Sequence, residues 1–402
     1  MPDDEPRVAN APKKDDKVSK PTLLLSIALV AVVAFVAGTR SDQLYAAIAP
    51  VFGIKASADT LDTAVLQQAF RELKANYDGT LDAGKLTDGA ARGMVTAAGD
   101  KYTVFMDKDE AEQFNKDLRG EISGIGCEIG VRGDRATVLR VLDDSPAEAA
   151  GVRPGDVFVS VNGESVDAMD ATTVASKVRG EKDTTVKLTM QRGEEQKEFT
   201  ITRAQVTDAS VRWSIDGDIG TITMSRFDDD TGKLANQAAA EFKARSVKGV
   251  ILDLRGNGGG YLNAAVDVAG IWLDNKVVVT EKSNGKVTGT EKTGSGAPLA
   301  GVKTVVLVNG ASASASEIVA GALQDHKAAI LVGEKTFGKG TVQKVVNLLD
   351  GRLLKVTIAR WYTPNGKNIT KEGISPDKKV ELTSDDANAG RDPQLEAAKG
   401  LF

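Results

Sequence analysis

The chain has 402 residues, with 51 Lys or Arg against 56 Asp or Glu, a net charge of −5, one His and one Cys. A single Cys excludes an internal disulfide framework, and a single His excludes HExxH motifs and multi-histidine metal centres. The acidic balance gives no basic surface for nucleic acid, and the length and ordinary composition predict two or three domains.

The first 39 residues predict a cytoplasmic tail and a membrane anchor. Residues 1–20 are polar with charges of both signs, a composition typical of disordered segments. Residues 21–39 form an uncharged apolar run near the lower length limit for a bilayer-spanning helix. Five Lys or Arg precede the run and only Arg40 follows closely. This asymmetry predicts a single-pass anchor, with the rest of the chain in the periplasm or the cell exterior.

A cleaved signal peptide and a buried core helix are the alternatives for this run. Ala47-Ile48-Ala49 resembles a cleavage site but lies too far beyond the apolar run. A helix that is apolar on every face at the extreme end of a chain is a poor core helix. An uncleaved anchor is therefore favoured.

The next two blocks differ in character. Residues 57–112 predict an N-terminal helical region, with a first helix before Gly79 and a second over 90–98. Residues 113–203 change to short β-rich runs separated by turn residues. The predicted strands of this block are Ala136–Val141, Val157–Val161, Thr185–Gln191 and Lys197–Ile201.

Residues 204–380 alternate strands with helices, which is typical of an α/β domain. Residues 381–402 form a polar tail that ends in a short helix, Pro393–Leu401. The predicted strands are Ile219–Ser225, Gly249–Leu254, Thr304–Val308 and Ile330–Val332, and the predicted helices are Gly232–Arg245, Leu262–Leu273 and Ser316–Gln324.

A glycine-rich segment opens the β-rich block and contains Gly124, Ile125, Gly126, Cys127, Glu128 and Ile129. Alternating glycines let successive N–H groups point at one spot, which suits an anionic chain terminus, and a following strand can accept an extended peptide. Together with turns at 144–147, 151–156 and 161–163, the order and spacing closely resemble a bacterial PDZ domain. The resemblance implies that residues 123–129 capture the carboxyl terminus of a peptide, with Cys127 as a packing residue.

Three segments of the α/β block suggest chemistry. The first is the glycine-rich turn after strand 249–254. It is not a dinucleotide fingerprint, because Tyr261 stands where the third glycine belongs. Glycines after a strand instead expose backbone N–H groups, as an oxyanion hole requires.

The second segment carries Ser312, Ser314 and Ser316 between a strand and a helix. A serine at a helix N-terminus lies where orphan N–H groups and the helix dipole favour a developing alkoxide. A capping linker is the alternative for this segment taken alone.

The third segment, Gly333–Gln343, nearly spells a phosphate-binding loop, but Gly340 stands where the magnesium-binding Ser or Thr must be. We therefore reject ATP binding. A desolvated Lys339 beside a serine has another use, because its neutral amine can remove the serine proton without a histidine. His326 follows a helix end and is expected to lie at the surface or to cap that end.

These segments together closely resemble the C-terminal processing peptidases, or tail-specific proteases, over residues 57–380. One departure is Lys101, where the family usually has Pro. The matching motifs are Asp253–Gly259, Ser312–Ile318, Thr336–Gln343, Asp100–Thr103, Tyr362–Gly366 and Gly373–Asp377.

The resemblance implies specific residue roles. Ser314 would be the nucleophile, Lys339 the general base and Gln343 its orienting partner. The N–H groups of Ala315 and of Gly258 or Gly259 would form the oxyanion hole. Supporting roles would fall to Asp325 and Arg255, and Arg179 would sense a bound peptide.

The implied fold is a crotonase/Clp-protease-like spiral α/β domain with an inserted PDZ domain. The implied protein is a membrane-anchored serine endopeptidase that cleaves proteins near their free carboxyl termini, without cofactor or metal. The resemblance also allows a homodimer through the N-terminal helices and the short final helix. Two rival functions are an inactive PDZ scaffold that regulates envelope proteolysis and a crotonase-like enzyme acting on acyl thioesters.

Overall fold

The computed structural model describes residues 61–402, apart from 62, 133–134, 168, 384 and 387–388, and also positions 26, 27, 29, 30 and 48. The predicted tail and most of the predicted anchor therefore lie outside the described residues. Among the residues that are described, no helix has both the length and the apolar composition needed to cross a membrane. The chain divides into two units, Met1–Leu86 and Thr87–Phe402.

Two helices open the continuous part of the structure, α1 over Ala64–Asn76 and α2 over Ala83–Ala97. The second helix begins at Ala83 rather than at the predicted position 90. Asp82 explains the earlier start, because its carboxylate accepts the N–H of Lys85 (3.1 Å), as a helix-capping residue does.

Strand β1, Val104–Met106, is followed by helix α3, Lys108–Arg119. A capping box starts this helix: the Asp107 carboxylate accepts the N–H of Glu110 (3.0 Å), and the Glu110 carboxylate accepts the N–H of Asp107 (3.0 Å). The predicted domain boundary after residue 112 therefore falls inside a helix.

The β-rich block forms a sheet in the order β3-β4-β5-β7-β8, with β6 paired to β5. A ribbon of β2 and β9 carries the chain into and out of this block. Val138, Phe158, Leu188 and Met190 form the centre of its core. The elements are β2 Glu121–Gly124, β3 Cys127–Arg132, β4 Arg135–Val141, α4 Pro146–Ala149, β5 Val157–Val161, β6 Glu164–Ser165, α5 Ala171–Val178, β7 Thr185–Arg192, β8 Glu195–Thr202 and β9 Ala204–Thr207.

The second sheet has the order β10-β11-β12-β15-β16-β19 and is parallel from β11 onward. Its elements are β10 Val211–Asp216, β11 Ile219–Met224, α6 Thr231–Ala244, β12 Gly249–Asp253, α7 Leu262–Ala269, β15 Lys303–Val308, α8 Ala315–Asp325, β16 Ile330–Gly333, β19 Lys378–Lys379 and α9 Pro393–Lys399. Helix α7 ends at Ala269, before the predicted Leu273, and Gly270 is its C-cap residue.

Helices cover both faces of this sheet. Val250 and Leu252 of β12 pack in the cluster that contains residues of α6, α7 and α8. Ile251, between them, packs in a separate cluster with Ala398 of α9. Since successive strand residues point to opposite faces, α9 covers the face opposite to the other three helices.

A third sheet has the order β1-β18-β13-β14, with β17 paired to β18. Apart from β1, its strands are β13 Val277–Ser283, β14 Lys286–Lys292, β17 Thr341–Asn347 and β18 Leu353–Tyr362. None of these strands was predicted from the sequence. Asn284-Gly285, both at positive φ, form the turn between β13 and β14, and Asn-Gly is a strong hairpin signal.

The parallel sheet positions the candidate site. The predicted chemistry lies in the segments that follow β12, β15 and β16. Because parallel strands present their carboxyl ends at one edge, these three segments meet there.

Candidate active site

A cavity of about 340 Å³ lies where the three segments meet and contains six of the predicted site residues. Its apolar wall includes Phe114 and Leu118 of α3, Ile318 of α8 and Trp361 of β18. The predicted residues that line it are Gly258, Gly259, Ser314, Ala315, Lys339 and Gln343.

Ser314 lies immediately before α8 in a strained backbone conformation, with φ 55° and ψ −113°. The two neighbouring serines are fully buried and have other partners. Ser312 Oγ donates to the Leu254 carbonyl (2.8 Å), and Ser316 Oγ donates to the Asn257 carbonyl (2.9 Å). Of the three serines, Ser314 is the one that lines the cavity.

Gly259 lies directly against the serine segment. Its φ is 102°, and a Cβ there would lie 2.7 Å from both the Ala313 carbonyl oxygen and Ser314 Cβ. Its N–H donates to Asn257 Oδ1 (2.9 Å). Within the part of the chain that the structure describes, no acceptor occupies the N–H groups of Gly258 or Ala315. Those two groups are therefore available to a ligand in the cavity.

Glu317, a fully buried residue that joins the serine and lysine segments, was not among the residues predicted from the sequence. Its carboxylate accepts the backbone N–H groups of Ser314 (2.9 Å), Gly338 (2.7 Å) and Lys339 (3.0 Å). It also accepts the hydroxyl of Thr336 (2.6 Å). The Ser-x-x-Glu spacing of a capping box was the available signal in the sequence.

Lys339 is half-buried, and its pKa lies below the ordinary lysine value. Burial is the largest cause, the positive charge of Lys355 is the second, and the negative charge of Glu317 opposes both. Lys355 lines the same cavity. A lysine in this environment gives up its proton more readily than a solvated one.

Gln343 contacts a residue outside the predicted site. Its side-chain Nε2–H donates to the backbone carbonyl of Tyr102. The Tyr102 ring centroid lies 5.9 Å from Lys339 Nζ. Among the described residues, no hydrogen bond joins the side chains of Gln343 and Lys339.

Arg255 and Asp325, predicted as supporting residues, lie away from the cavity. Arg255 pairs with Asp253 (2.7 Å) and Asp392 (2.9 Å), which connects the end of β12 to the start of α9. The Asp325 carboxylate accepts the N–H of Asn365 (2.8 Å). Both residues therefore brace neighbouring segments.

His326 lies in a different cleft, with a volume of about 750 Å³. Its Nε2 lies 2.8 Å from the Val277 carbonyl oxygen. It follows α8 as the C-cap residue, as the sequence predicted.

The predicted peptide-binding segment lies at the start of β3, beside helix α5. Ile125 is buried, and Gly126 turns the chain with φ 79°. Burial raises the pKa of the Cys127 thiol to about 12, so the thiol stays protonated. Arg179 is the exposed C-cap residue of α5 and lines a separate groove of about 640 Å³.

Profiles of known families match three parts of the chain. Peptidase family S41 matches residues 218–380, a PDZ domain matches residues 137–192, and the N-terminal domain of the activating protease CtpB matches residues 50–110.

Similar proteins cover most of the chain. A probable CtpA-like serine protease of Staphylococcus haemolyticus is 40% identical over 317 residues, 78% of this chain. A probable CtpA-like serine protease of Staphylococcus aureus strain COL is 38% identical over 319 residues, 79% of this chain. The chain spans 64% of the length of these curated relatives.

Among solved structures, the photosystem II D1 C-terminal processing protease is 31% identical, with a TM-score of 0.51. The match covers 79% of this chain and 87% of that protein. A Bacteroides fragilis protein assigned to the S41 proteases shares the fold at 18% identity and a TM-score of 0.59, covering 86% of this chain and 99% of its own.

Proposed function

Because the chain belongs to peptidase family S41, the C-terminal processing peptidases, we propose that it is a serine endopeptidase that cleaves proteins near their carboxyl termini. One observation carries the proposal. Ser314 and Lys339 line one cavity, and a single buried carboxylate, that of Glu317, accepts the backbone N–H of both. This arrangement suits a nucleophile and a base that must keep a fixed separation.

The proposed reaction is acyl transfer. Lys339, as the neutral amine, removes the proton of the Ser314 hydroxyl while Oγ attacks the substrate carbonyl. The protonated lysine then gives that proton to the leaving amine as the peptide bond breaks. Water, activated by the same lysine, releases the acyl group from Ser314.

The oxyanion that forms during the attack needs backbone donors. We assign them to Ala315 and Gly258, because the N–H of Gly259 already donates to Asn257. This choice narrows the sequence-based expectation, which left Gly258 and Gly259 open.

In the same proposal, the PDZ domain binds the free carboxyl terminus of the substrate along β3. Residues 21–39 anchor the chain in the cell membrane, with the catalytic part outside the cytoplasm. We also propose that the protease domain has the spiral α/β arrangement of crotonases and Clp proteases. The position of β3 beside α5 supports the binding role, because an extended peptide can add to such an edge.

The test of the enzymatic proposal uses the purified full-length chain and an unfolded protein with an apolar tail. We expect cleavage by the wild type and by His326→Ala, and none by Ser314→Ala or Lys339→Ala. Mass spectrometry is expected to find an acyl adduct on Ser314. Equal absence of cleavage in the wild type and Ser314→Ala would favour the scaffold alternative, and cleavage that survives Lys339→Ala would contradict the Ser-Lys mechanism.

The PDZ proposal has its own test. Adding a charged residue to the carboxyl terminus of the substrate is expected to slow cleavage, because the new terminal side chain is charged and would lose its hydration on binding in place of an apolar one. An unchanged rate would show that the tail is not recognised.

A further inference from the structure

The segment Asp100–Thr103 contacts the candidate site, although the proposed mechanism gives it no role. The backbone carbonyl of Tyr102 accepts the Nε2–H of Gln343 across a long sequence separation. The ring of Tyr102 also lies near Lys339 Nζ, at 5.9 Å. The loop therefore contacts one proposed active-site side chain and lies close to another.

The bond to Tyr102 determines which way the Gln343 amide points. A backbone carbonyl can only accept, so the NH₂ end of the amide must face it. The other end, Oε1, is then left as an acceptor for a donor in the cavity. Lys339, when charged, offers only donors.

The loop itself is held by a side-chain network. Asp100 accepts the N–H of Tyr102 (3.2 Å) through Oδ1 and the hydroxyl of Thr103 (2.7 Å) through Oδ2. The same Thr103 hydroxyl accepts the N–H of Thr357 in β18 (3.1 Å). Thr357 is the register partner of Gln343 in β17. One hydroxyl thus fixes the loop beside the strand pair that carries Gln343.

We propose that Thr103 is a positioning residue: it holds the Asp100–Thr103 loop so that the Tyr102 carbonyl fixes the Gln343 amide with Oε1 toward Lys339. This inference rests on the proposed Ser-Lys mechanism for its effect on turnover. The bond between Tyr102 and Gln343 is independent of that mechanism and can be tested separately.

The kinetic test compares three variants of the full-length chain. Thr103→Val removes the hydroxyl at nearly constant volume and is expected to lower kcat about tenfold through misplacement, with KM unchanged. Thr103→Ser keeps the hydroxyl and is expected to restore kcat. Thr304→Val is the control: it likewise removes a threonine hydroxyl that donates a hydrogen bond inside the protein, to the Val302 carbonyl (2.9 Å), but at a position remote from the Asp100–Thr103 loop.

A double-variant cycle tests whether Thr103 acts through Gln343. If it does, Thr103→Val is expected to cause no further loss of kcat in a Gln343→Ala background. An undiminished loss in that background, or wild-type kcat in Thr103→Val alone, would overturn the inference.

A structural readout separates this inference from the proposed function. In the ¹⁵N-labelled chain, the side-chain amide signal that disappears in Gln343→Ala is expected to exchange slowly in the wild type and fast in Thr103→Val. Equal exchange in both would refute the positioning role even if the enzyme cleaves. Slow exchange lost in Thr103→Val would support it even if cleavage did not depend on Ser314.

Discussion

Glu317 and Lys355 act on the candidate site at the scale of single side chains. Glu317 holds the backbones of Ser314 and Lys339 and draws the pKa of Lys339 upward, whereas Lys355 lowers that pKa through its like charge. Burial outweighs both effects. The balance favours a lysine that loses its proton below the ordinary lysine pKa, as a general base must.

Lys355→Met is expected to raise the pKa of Lys339, because it removes the neighbouring positive charge. Lys339 acts as a base when neutral, so the rise of kcat/KM with pH would move to higher pH. The measurement is the pH profile of cleavage, with Lys355→Arg as the control that keeps the charge. A rise at the same pH in wild type and Lys355→Met would show that the two amines do not interact.

Glu317→Gln is expected to destabilise the protein by about 2–4 kcal/mol, because the amide nitrogen faces buried N–H donors that lose their acceptor. Urea denaturation measures the change in the free energy of unfolding. Glu372→Gln, at an exposed position, is the matched control, and an equal effect of both substitutions would contradict the central role of Glu317.

At the scale of elements, the site depends on loops that approach each other backbone to backbone. Gly259 lies against the Ser314 segment, and Gly338, with φ 88°, lies against the backbone at 371–373. A side chain at either position would enter space occupied by another loop. The loops after β12 and β16 therefore need glycine at these positions for two reasons: the backbone has a positive φ, and another loop packs where a Cβ would lie.

Gly259→Ala is expected to lower the free energy of unfolding by more than about 1 kcal/mol, because φ 102° and the close Ala313 carbonyl both disfavour a Cβ. Gly258→Ala is the matched control for stability, since a Cβ there meets no atom within 4 Å. Equal unfolding midpoints for the two variants would contradict the close packing.

At the scale of the whole protease domain, the C-terminal helix is part of the structure that supports the site. Helix α9 covers one face of the parallel sheet, and Arg255 ties its N-cap residue, Asp392, to the end of β12. Burial by itself would raise the pKa of Asp392, but the hydrogen bonds from Arg255 hold that pKa below its ordinary value. The loop with Gly258 and Gly259 begins beside this ion pair.

Arg255→Met is expected to cost about 3 kcal/mol at pH 7, because it leaves two partly buried carboxylates without their cation. The contribution of Asp392 to the free energy of unfolding is fully present above the ordinary Asp pKa of about 3.9. It is lost as the pH falls through the pKa of Asp392 in the folded protein, which is lower. The difference from wild type is therefore expected to shrink in strong acid. Urea unfolding at several pH values measures this difference in the free energy of unfolding. Arg391→Met, which removes the cation of the ion pair between Arg391 and Asp386, is the control. A difference that does not change with pH would contradict the role of the Arg255–Asp392 ion pair.

The sequence alone predicted four strands of the parallel sheet (β11, β12, β15 and β16), the helices α6, α7 and α8, and the segments that carry Ser314, Lys339 and the glycine-rich turn, but not strands β10 and β19. Those features follow from hydrophobic periodicity, turn residues and local motifs, which are properties of neighbouring residues. The tertiary structure decided that Glu317 joins two segments, that Gln343 binds Tyr102, and that Gly259 has no free N–H. These depend on residues far apart in the chain, and side-chain orientation across such distances is set by packing rather than by local pattern.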